Sequence, residues 1–344
     1  VVGVFIYKPL LSAMQVPAEA MPGAQQYMFV IFLGTFFVFG YNATSAILRG
    51  FGDSKSPLLF VGIATIVNIA LDIIFVGTLK MGTVGAAYAT IIAQGVSFLI
   101  SIIFLIRRKF LFDFKPKSFA IKKDKLTAAF KLGLPTAIQL STVNISYMIL
   151  AAMLNQYGVT VAAAAGIGLK INTFAGMPCW AVGQAATAMV GQNVGAGNTD
   201  RVIKTTKTGL KISLLATLFC VALVQLLAKQ LIMLFEPNDA EVISAGVLYL
   251  RICCSLGSLV YAIMYSFDSF LTGIGNTKLA MFNALLDALI IRLPLCLLLC
   301  NFFTSGYLGI YFGQVLSPIV PMIIGTSYFC CKKRKTFIKN NERR

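Results

Sequence analysis

Apolar residues run through this chain in long blocks, broken by short polar stretches. LLFVGIATIVNIALDIIFVG (58–77) and ISLLATLFCVALVQLLA (212–228) are representative. A helix needs about 20 such residues to cross roughly 30 Å of hydrocarbon. Reading blocks against breaks predicts ten segments, at 1–16, 25–48, 57–79, 83–106, 131–155, 160–190, 209–235, 242–270, 279–302 and 307–331. In lipid every backbone N–H and C=O must be paired internally, so the segments are helices or strands of a closed barrel. Blocks this long, without alternation, exclude barrel strands. The predicted class is an all-α polytopic membrane protein.

Composition supports that class and narrows the chemistry. The chain is 58% hydrophobic and 12% charged, where a soluble domain carries roughly 25% charged residues. Histidine is absent, which removes the commonest general base and metal ligand. The eight cysteines fall in or beside apolar blocks without metal-ligand spacing, and buried free cysteine behaves as a small hydrophobe. An enzyme acting on lipid would lack an acid–base pair here. The chain starts at Val1 inside an apolar stretch, so a longer protein with a missing beginning is expected.

The polar breaks alternate in charge. Those near 49–55, 107–131, 201–211 and 278, with the tail 332–344, hold most of the 29 Lys and Arg residues. The alternate breaks, including VPAEAMPG, NQYGVT and EPNDAE, are neutral or acidic apart from Lys80. Cytoplasmic loops carry the excess of Lys and Arg, so the basic side and the tail KKRKTFIKNNERR are placed in the cytoplasm. The net charge of +17 is then explained by topology and anionic head groups. No nucleic-acid partner is expected.

One polar loop is written nearly twice. ILRGFGDSKSP (47–57) and FLTGIGNTKLA (270–280) match at Gly50, Gly52 and Lys55 against Gly273, Gly275 and Lys278, at a single offset. Upstream, PAEAMPGAQQY (17–27) and PNDAEVISAGVLY (237–249) each place a Pro, a Glu and a Tyr before the next segment. Downstream, MGTVGAAYATIIAQ (81–94) answers SGYLGIYFGQ (305–314). The same order with the same side facing in predicts a parallel duplication about the membrane normal, a transporter pattern. The glycines permit tight turns. The predicted organisation is an incomplete N-terminal lobe (1–106), a cytoplasmic inter-lobe loop (107–130), a six-helix C-terminal lobe (131–331) and the basic tail (332–344). A two-lobed repeat favours alternating access over a passive channel.

At these residues the chain resembles the multidrug and toxin extrusion (MATE) family of cation-coupled exporters. ILRGFGDSKSP is similar to that family's LRG-x-GD loop after its fourth helix. MVGQNVGAGNTDRV (189–202) is similar to its GQN-x-GA loop after the eighth, and LGLPTAIQ (132–139) to the start of its seventh. The resemblance implies twelve helices in two six-helix lobes, about ten of them present here, with segment one as the end of the third. It also implies a V-shaped cavity that alternates its opening, and organic cations leaving in exchange for Na⁺ or H⁺. The expected protein is a monomer in the cytoplasmic membrane that needs a coupling ion and no cofactor. A lipid-linked oligosaccharide flippase of the same superfamily shares the architecture, but the LRG and GQN loops favour MATE.

Ionisable residues inside the segments are functional candidates, because burying them in lipid is costly unless they are paired. Asp72 lies deep in the third segment, with Asn68 one turn before it on the same face. The family's N-lobe cation site resembles this spacing, and the resemblance adds Thr90 and an Asp on the first helix, which precedes Val1. A structural helix-packing role for Asp72 is the competing reading. The C-terminal segments hold Lys170, Asp268, Asp287 and Arg292, a balance that predicts an internal ion-pair network. Asn283 and Asp287 repeat the Asn-x-x-x-Asp spacing but sit about two turns closer to the cytoplasm. One branch of the family has a C-lobe site made by a Glu and an Asp. The matching positions here are Val143 and Tyr261, so that site is not expected.

Pro135, Pro178, Pro294, Pro318 and Pro321 interrupt the segments and predict bends. Tyr41, Asn42, Gln139, Asn144, Tyr147 and Trp180 are candidates for a substrate pathway alongside the C-terminal charges, because aromatic faces attract organic cations. Plain packing is the alternative for all of them.

Overall fold

A computed structural model describes residues 7, 8, 11, 21–107, 120–303 and 305–341, with residues 333–341 as backbone alone. Most of predicted segment 1–16, Glu19, half of the 107–130 loop and the end of the tail lie outside the described residues. Among the described residues the regular structure is entirely helical. Eight helices are long and apolar enough to cross a membrane, and a bent pair makes a ninth. The class predicted from the apolar blocks therefore holds.

The chain divides into two compact units, Val1–Ile121 and Lys122–Arg344. The first contains α1 (Met21–Gly50), α2 (Lys55–Asp72, continuing as a π-turn over Ile73–Thr78) and α3 (Gly82–Arg107). The second opens with α4 (Lys123–Asn155), α5 (Val159–Gly195) and α6 (Thr199–Met233). The bent pair α7 (Ala240–Cys253) and α8 (Leu256–Gly273) follows. Next come α9 (Thr277–Leu285, with a π-turn over Leu286–Ile291) and α10 (Arg292–Cys300), then α11 (Tyr307–Leu316) and α12 (Ile319–Asn341).

The surface is apolar where a soluble protein would be polar. Phe39, Ile66 and Leu226 stand outward at 71%, 70% and 80% exposure, as suits side chains solvated by lipid. Between helices the residues are small, because without water to expel, packing rests on close backbone approach. Gly34 and Gly40 of α1 lie against Ile91 and Phe98 of α3, where an added Cβ would overlap them. Thr44 and Ser101 join α1 to α3 through their hydroxyls at 2.9 Å. Ser97 ties α3 to α2 by donating to the Phe60 carbonyl at 3.2 Å. In the second unit Tyr249 and Tyr311 meet edge to face at 4.9 Å inside the main core.

The repeated polar loops are helix stops. At the end of α1, Gly52 N donates to Arg49 O at 3.0 Å and Asp53 N to Leu48 O at 2.9 Å. At the end of α8, Gly275 N donates to Thr272 O at 3.0 Å and Asn276 N to Leu271 O at 2.8 Å. At the end of α5, Gly197 N donates to Val194 O at 3.0 Å and Asn198 N to Asn193 O at 2.9 Å. This is the Schellman bonding pattern, which needs a left-handed residue after the helix. Gly52, Gly197 and Gly275 supply it with φ of 90°, 72° and 82°. Asp53 then starts the next helix, accepting from Ser56 N at 3.0 Å and Ser56 Oγ at 2.6 Å. A chain that must reverse in a few residues at the membrane surface repeats the same cap.

One predicted segment is broken. The 242–270 block bends by 47° between α7 and α8, where Cys254 and Ser255 leave helical geometry. Carbonyls at the break are met from α6: Gln225 Nε2 donates to Cys254 O at 2.6 Å and to Arg251 O at 3.4 Å, while Leu250 O keeps its bond from Cys254 N at 2.9 Å. Two residues on, Leu227 interrupts α6. Backbone freed within lipid must find partners inside the protein, and Gln225 is the partner here.

Candidate functional site

In the second unit residues of α4 to α11 line a cavity of about 570 Å³. Gln139, Asn144, Tyr147, Asp268, Asp287 and Arg292 all line it, so six of the predicted pathway residues share one space. Trp180 joins them, donating from Nε1 to Tyr261 Oη at 3.2 Å. Tyr261 and Tyr265 stack at 6.0 Å with their planes 12° apart. Gly183 of α5 makes room for this wall, since a Cβ there would stand 2.7 Å from Ser269 Oγ and overlap Tyr265. The cavity therefore offers flat aromatic faces beside a few polar groups, the usual make-up of a small-molecule site.

The C-terminal charges form two separate arrangements. Arg292 Nη2 pairs with Asp287 Oδ2 at 2.6 Å, with both side chains at 3% exposure or less. Ser317 closes the group, donating to Asp287 Oδ1 at 2.6 Å and accepting from Arg292 Nε at 3.1 Å. The Arg292 guanidinium also lies 5.2 Å from the Tyr147 ring centre. Asp287 sits in the π-turn, and the neighbouring Ala288 carbonyl accepts from Ser146 of α4 at 2.8 Å. π-turns occur mostly as single insertions at functional positions; this one aims Asp287 at Arg292. Among the described residues Asp268 has no cation partner, and it takes a hydrogen bond from Asn283 Nδ2 at 2.9 Å.

Lys170 stands apart. It is exposed on α5, its ammonium 5.9 Å from the Phe235 ring centre, and does not line the cavity. Val143 and Tyr261 do line it, so the positions that match the acidic pair of one family branch face the cavity without a carboxylate. Sequence reading missed Ser317 and the structural use of Asn283, because a buried serine ahead of Pro318 carries no charge to flag it.

In the first unit Asp72 ends α2 and leads directly into the π-turn. Asp72 Oδ1 and Asn68 Nδ2 are buried and have no hydrogen-bond partner among the described residues. Thr90 of α3 donates to Ala86 O at 2.9 Å, which leaves its oxygen lone pairs available. Gln94, one turn further along α3, has a buried and equally unpartnered Oε1. Tyr41 and Asn42 are placed elsewhere. Tyr41 donates to the Pro57 carbonyl at 3.3 Å and packs on Leu48, Phe60 and Leu105. Asn42 is exposed and bonds back to Val38 O at 2.8 Å. Packing accounts for Tyr41, and the bond to its own helix for Asn42.

Comparisons with known proteins agree on one family. The chain is 34% identical over 200 residues to the probable multidrug resistance protein YpnP of Bacillus subtilis, covering 58% of this chain and 44% of that protein. It is 28% identical over 323 residues to the probable multidrug resistance protein NorM of Thermotoga maritima, covering 92% of this chain and 68% of NorM. The chain thus spans less than half the length of YpnP. Its fold is similar to a solved outward-facing multidrug resistance MATE family transporter of the MOP superfamily, with a TM-score of 0.89 and 24% identity, over 98% of this chain and 75% of that one. The MatE family model matches residues 1–74 and 135–298, well over half of the sequence and including the positions of Asn68, Asp72, Asp268 and Asp287. The chain is a multi-pass membrane protein and belongs to the MatE family.

Proposed function

We propose that the protein is a secondary multidrug exporter, not an enzyme, that expels organic cations in exchange for Na⁺ or H⁺ bound at Asp72. One observation carries this reading: an intramembrane carboxylate, Asp72, keeps a buried oxygen without a partner among the described residues. A buried unpaired acceptor is costly, and a transported ion that comes and goes explains why the cost is retained. The aromatic wall of Tyr147, Trp180, Tyr261 and Tyr265 is the substrate face, suited to a planar cation, and Asp268 is its nearest carboxylate without a cation partner. The related YpnP and NorM are named as probable multidrug resistance proteins, which favours drug export over lipid-linked oligosaccharide flipping.

Binding the ion changes the charge at Asp72 by one unit, and the two-unit body is the bistable element that this change biases. Cells that produce the full-length protein are expected to accumulate less of a fluorescent lipophilic cation than cells without it. Collapsing the ion gradient should erase the difference. Export that persists without ion gradients and follows ATP instead overturns the antiport reading.

The charge alternation assigns the basic loops and the tail to the cytoplasm. Single cysteines at Thr160 and Asp239, in a background lacking the native cysteines, are expected to react with an impermeant maleimide from outside intact cells. Those at Lys123 and Thr205 should react only after permeabilisation. The reverse pattern inverts the topology.

A further inference from the structure

We propose that Gln94 supplies an additional oxygen to the first-unit ion site and thereby makes it a Na⁺ site; this deepens the reading of Asp72 given above and rests on it. Three side chains of the α2–α3 pair leave buried polar atoms without partners among the described residues: Asn68, Asp72 and Gln94. Buried polar atoms are otherwise nearly always satisfied, and a group of exceptions needs a cause. A ligand common to all three is such a cause.

The register of the two helices brings them together. Ser97 of α3 bonds to Phe60 of α2 at 3.2 Å. Toward the other end, Phe75 lies 3.0 Å from where a Cβ on Gly85 would stand. The helices are therefore antiparallel, and between these ties Thr90 falls opposite Asn68. Gln94 and Thr90 precede Ser97 by three and seven residues, so they share its face toward α2. Asp72 lies one turn from Asn68 in one direction, and Gln94 one turn from Thr90 in the other. Each side chain leans toward the N-terminus of its own helix. Because the helices run in opposite directions, Asp72 and Gln94 lean toward each other, from either side of the level of Asn68 and Thr90.

The donor set then distinguishes the ions. A proton on Asp72 creates one O–H donor and can satisfy one acceptor. A hard cation takes several oxygens at once. Asp72 Oδ1, Gln94 Oε1 and the free lone pairs of Thr90 Oγ1 provide three, and a half-turn of the Asn68 amide exchanges Nδ2 for Oδ1 to provide a fourth. One carboxylate with neutral oxygens suits a monovalent cation, which leaves the site neutral when bound. Removing the Gln94 oxygen takes a ligand from Na⁺.

The test uses purified full-length protein in detergent, titrated with NaCl against KCl at constant ionic strength, with thermal stability as the binding readout. A ligand that binds the folded state raises the melting temperature as it saturates. Na⁺ and not K⁺ should stabilise the wild type, and Asp72→Asn should abolish the response. Gln94→Leu, and Gln94→Met as a second apolar form, should raise the Na⁺ midpoint by roughly 10-fold or more. Gln94→Glu, which restores an oxygen, should keep the response. A lost response in Asp72→Asn with an unchanged midpoint in both apolar Gln94 variants overturns the role of Gln94 and spares the ion site. A Na⁺ response that survives Asp72→Asn overturns both. A wild type equally indifferent to Na⁺ and K⁺ overturns the Na⁺ assignment.

Discussion

Asp287→Ala is expected to remove most of the folded protein, and the double variant Asp287→Leu/Arg292→Met to recover much of it. Asp287 and Arg292 are both 2% exposed and pair at 2.6 Å. Removing one partner of a buried pair leaves the other charge uncompensated, at a cost of about 3–5 kcal/mol. A typical protein has only about 5–15 kcal/mol of net stability, so the single variant sits near the edge. Replacing both charges with apolar groups of similar volume removes the uncompensated charge, and such swaps are often neutral. Ser317→Ala should cost less, about 2–3 kcal/mol, because it breaks two hydrogen bonds to charged groups and leaves the pair in place. The measurement is the monodisperse yield and the melting temperature of each variant in one detergent. A single Asp287→Ala variant as stable as wild type would show that Arg292 finds another partner, and the triad would lose its structural role.

This pair illustrates where the sequence was legible and where it was not. The spans were legible because lipid imposes one rule on every residue in a block, so their ends agree with the helices to within a few residues except where a helix continues past the apolar block. α4 begins at Lys123, ahead of the predicted 131, and α5 runs to Gly195, beyond 190, because polar residues can continue a helix outside the hydrocarbon. The glycine loops were legible for the same reason: a left-handed position admits few other residues. The break at Cys254–Ser255 was not, since no proline marks it and the partner that makes it tolerable, Gln225, lies on another helix. The π-turns at Asp72 and Asp287 were equally hidden.

The site residues divide along similar lines. Charged residues in apolar blocks announce themselves, and Asp268, Asp287 and Arg292 do share the cavity. Charge alone did not say which of them pair, and it wrongly grouped Lys170 with them although that side chain is exposed beside Phe235. Aromatic and amide residues gave no such signal. Tyr147 and Trp180 line the cavity while Tyr41 packs in a small core, and only the helix faces separate these cases. Gln94 escaped notice because a neutral amide in a membrane helix looks like an ordinary packing residue until its oxygen proves to be buried and unpaired.

Asp72→Asn is expected to leave the protein folded and inserted while removing most of its coupled export. Asn has nearly the same shape, and among the described residues the buried Oδ1 of Asp72 makes no hydrogen bond that the change would break. What is lost is the charge. A ligand shifts a two-state equilibrium only by the difference between its affinities for the two states. With Asn in place, ion binding no longer neutralises a carboxylate, and that difference falls toward zero. Coupling between two ligands is typically 1–3 kcal/mol, or roughly 5–150-fold, and the export that depends on the ion gradient should fall by that order. Asn68→Ala and Thr90→Ala should lower it less, since each removes one neutral oxygen and leaves the charge. The assay is counterflow of a fluorescent organic cation from proteoliposomes under an imposed Na⁺ or H⁺ gradient, with surface expression as the folding control. If Asp72→Asn exports at the wild-type rate with the same ion dependence, coupling does not pass through α2. Asp268, a cavity carboxylate held by Asn283 and paired with no cation among the described residues, then becomes the group to replace next.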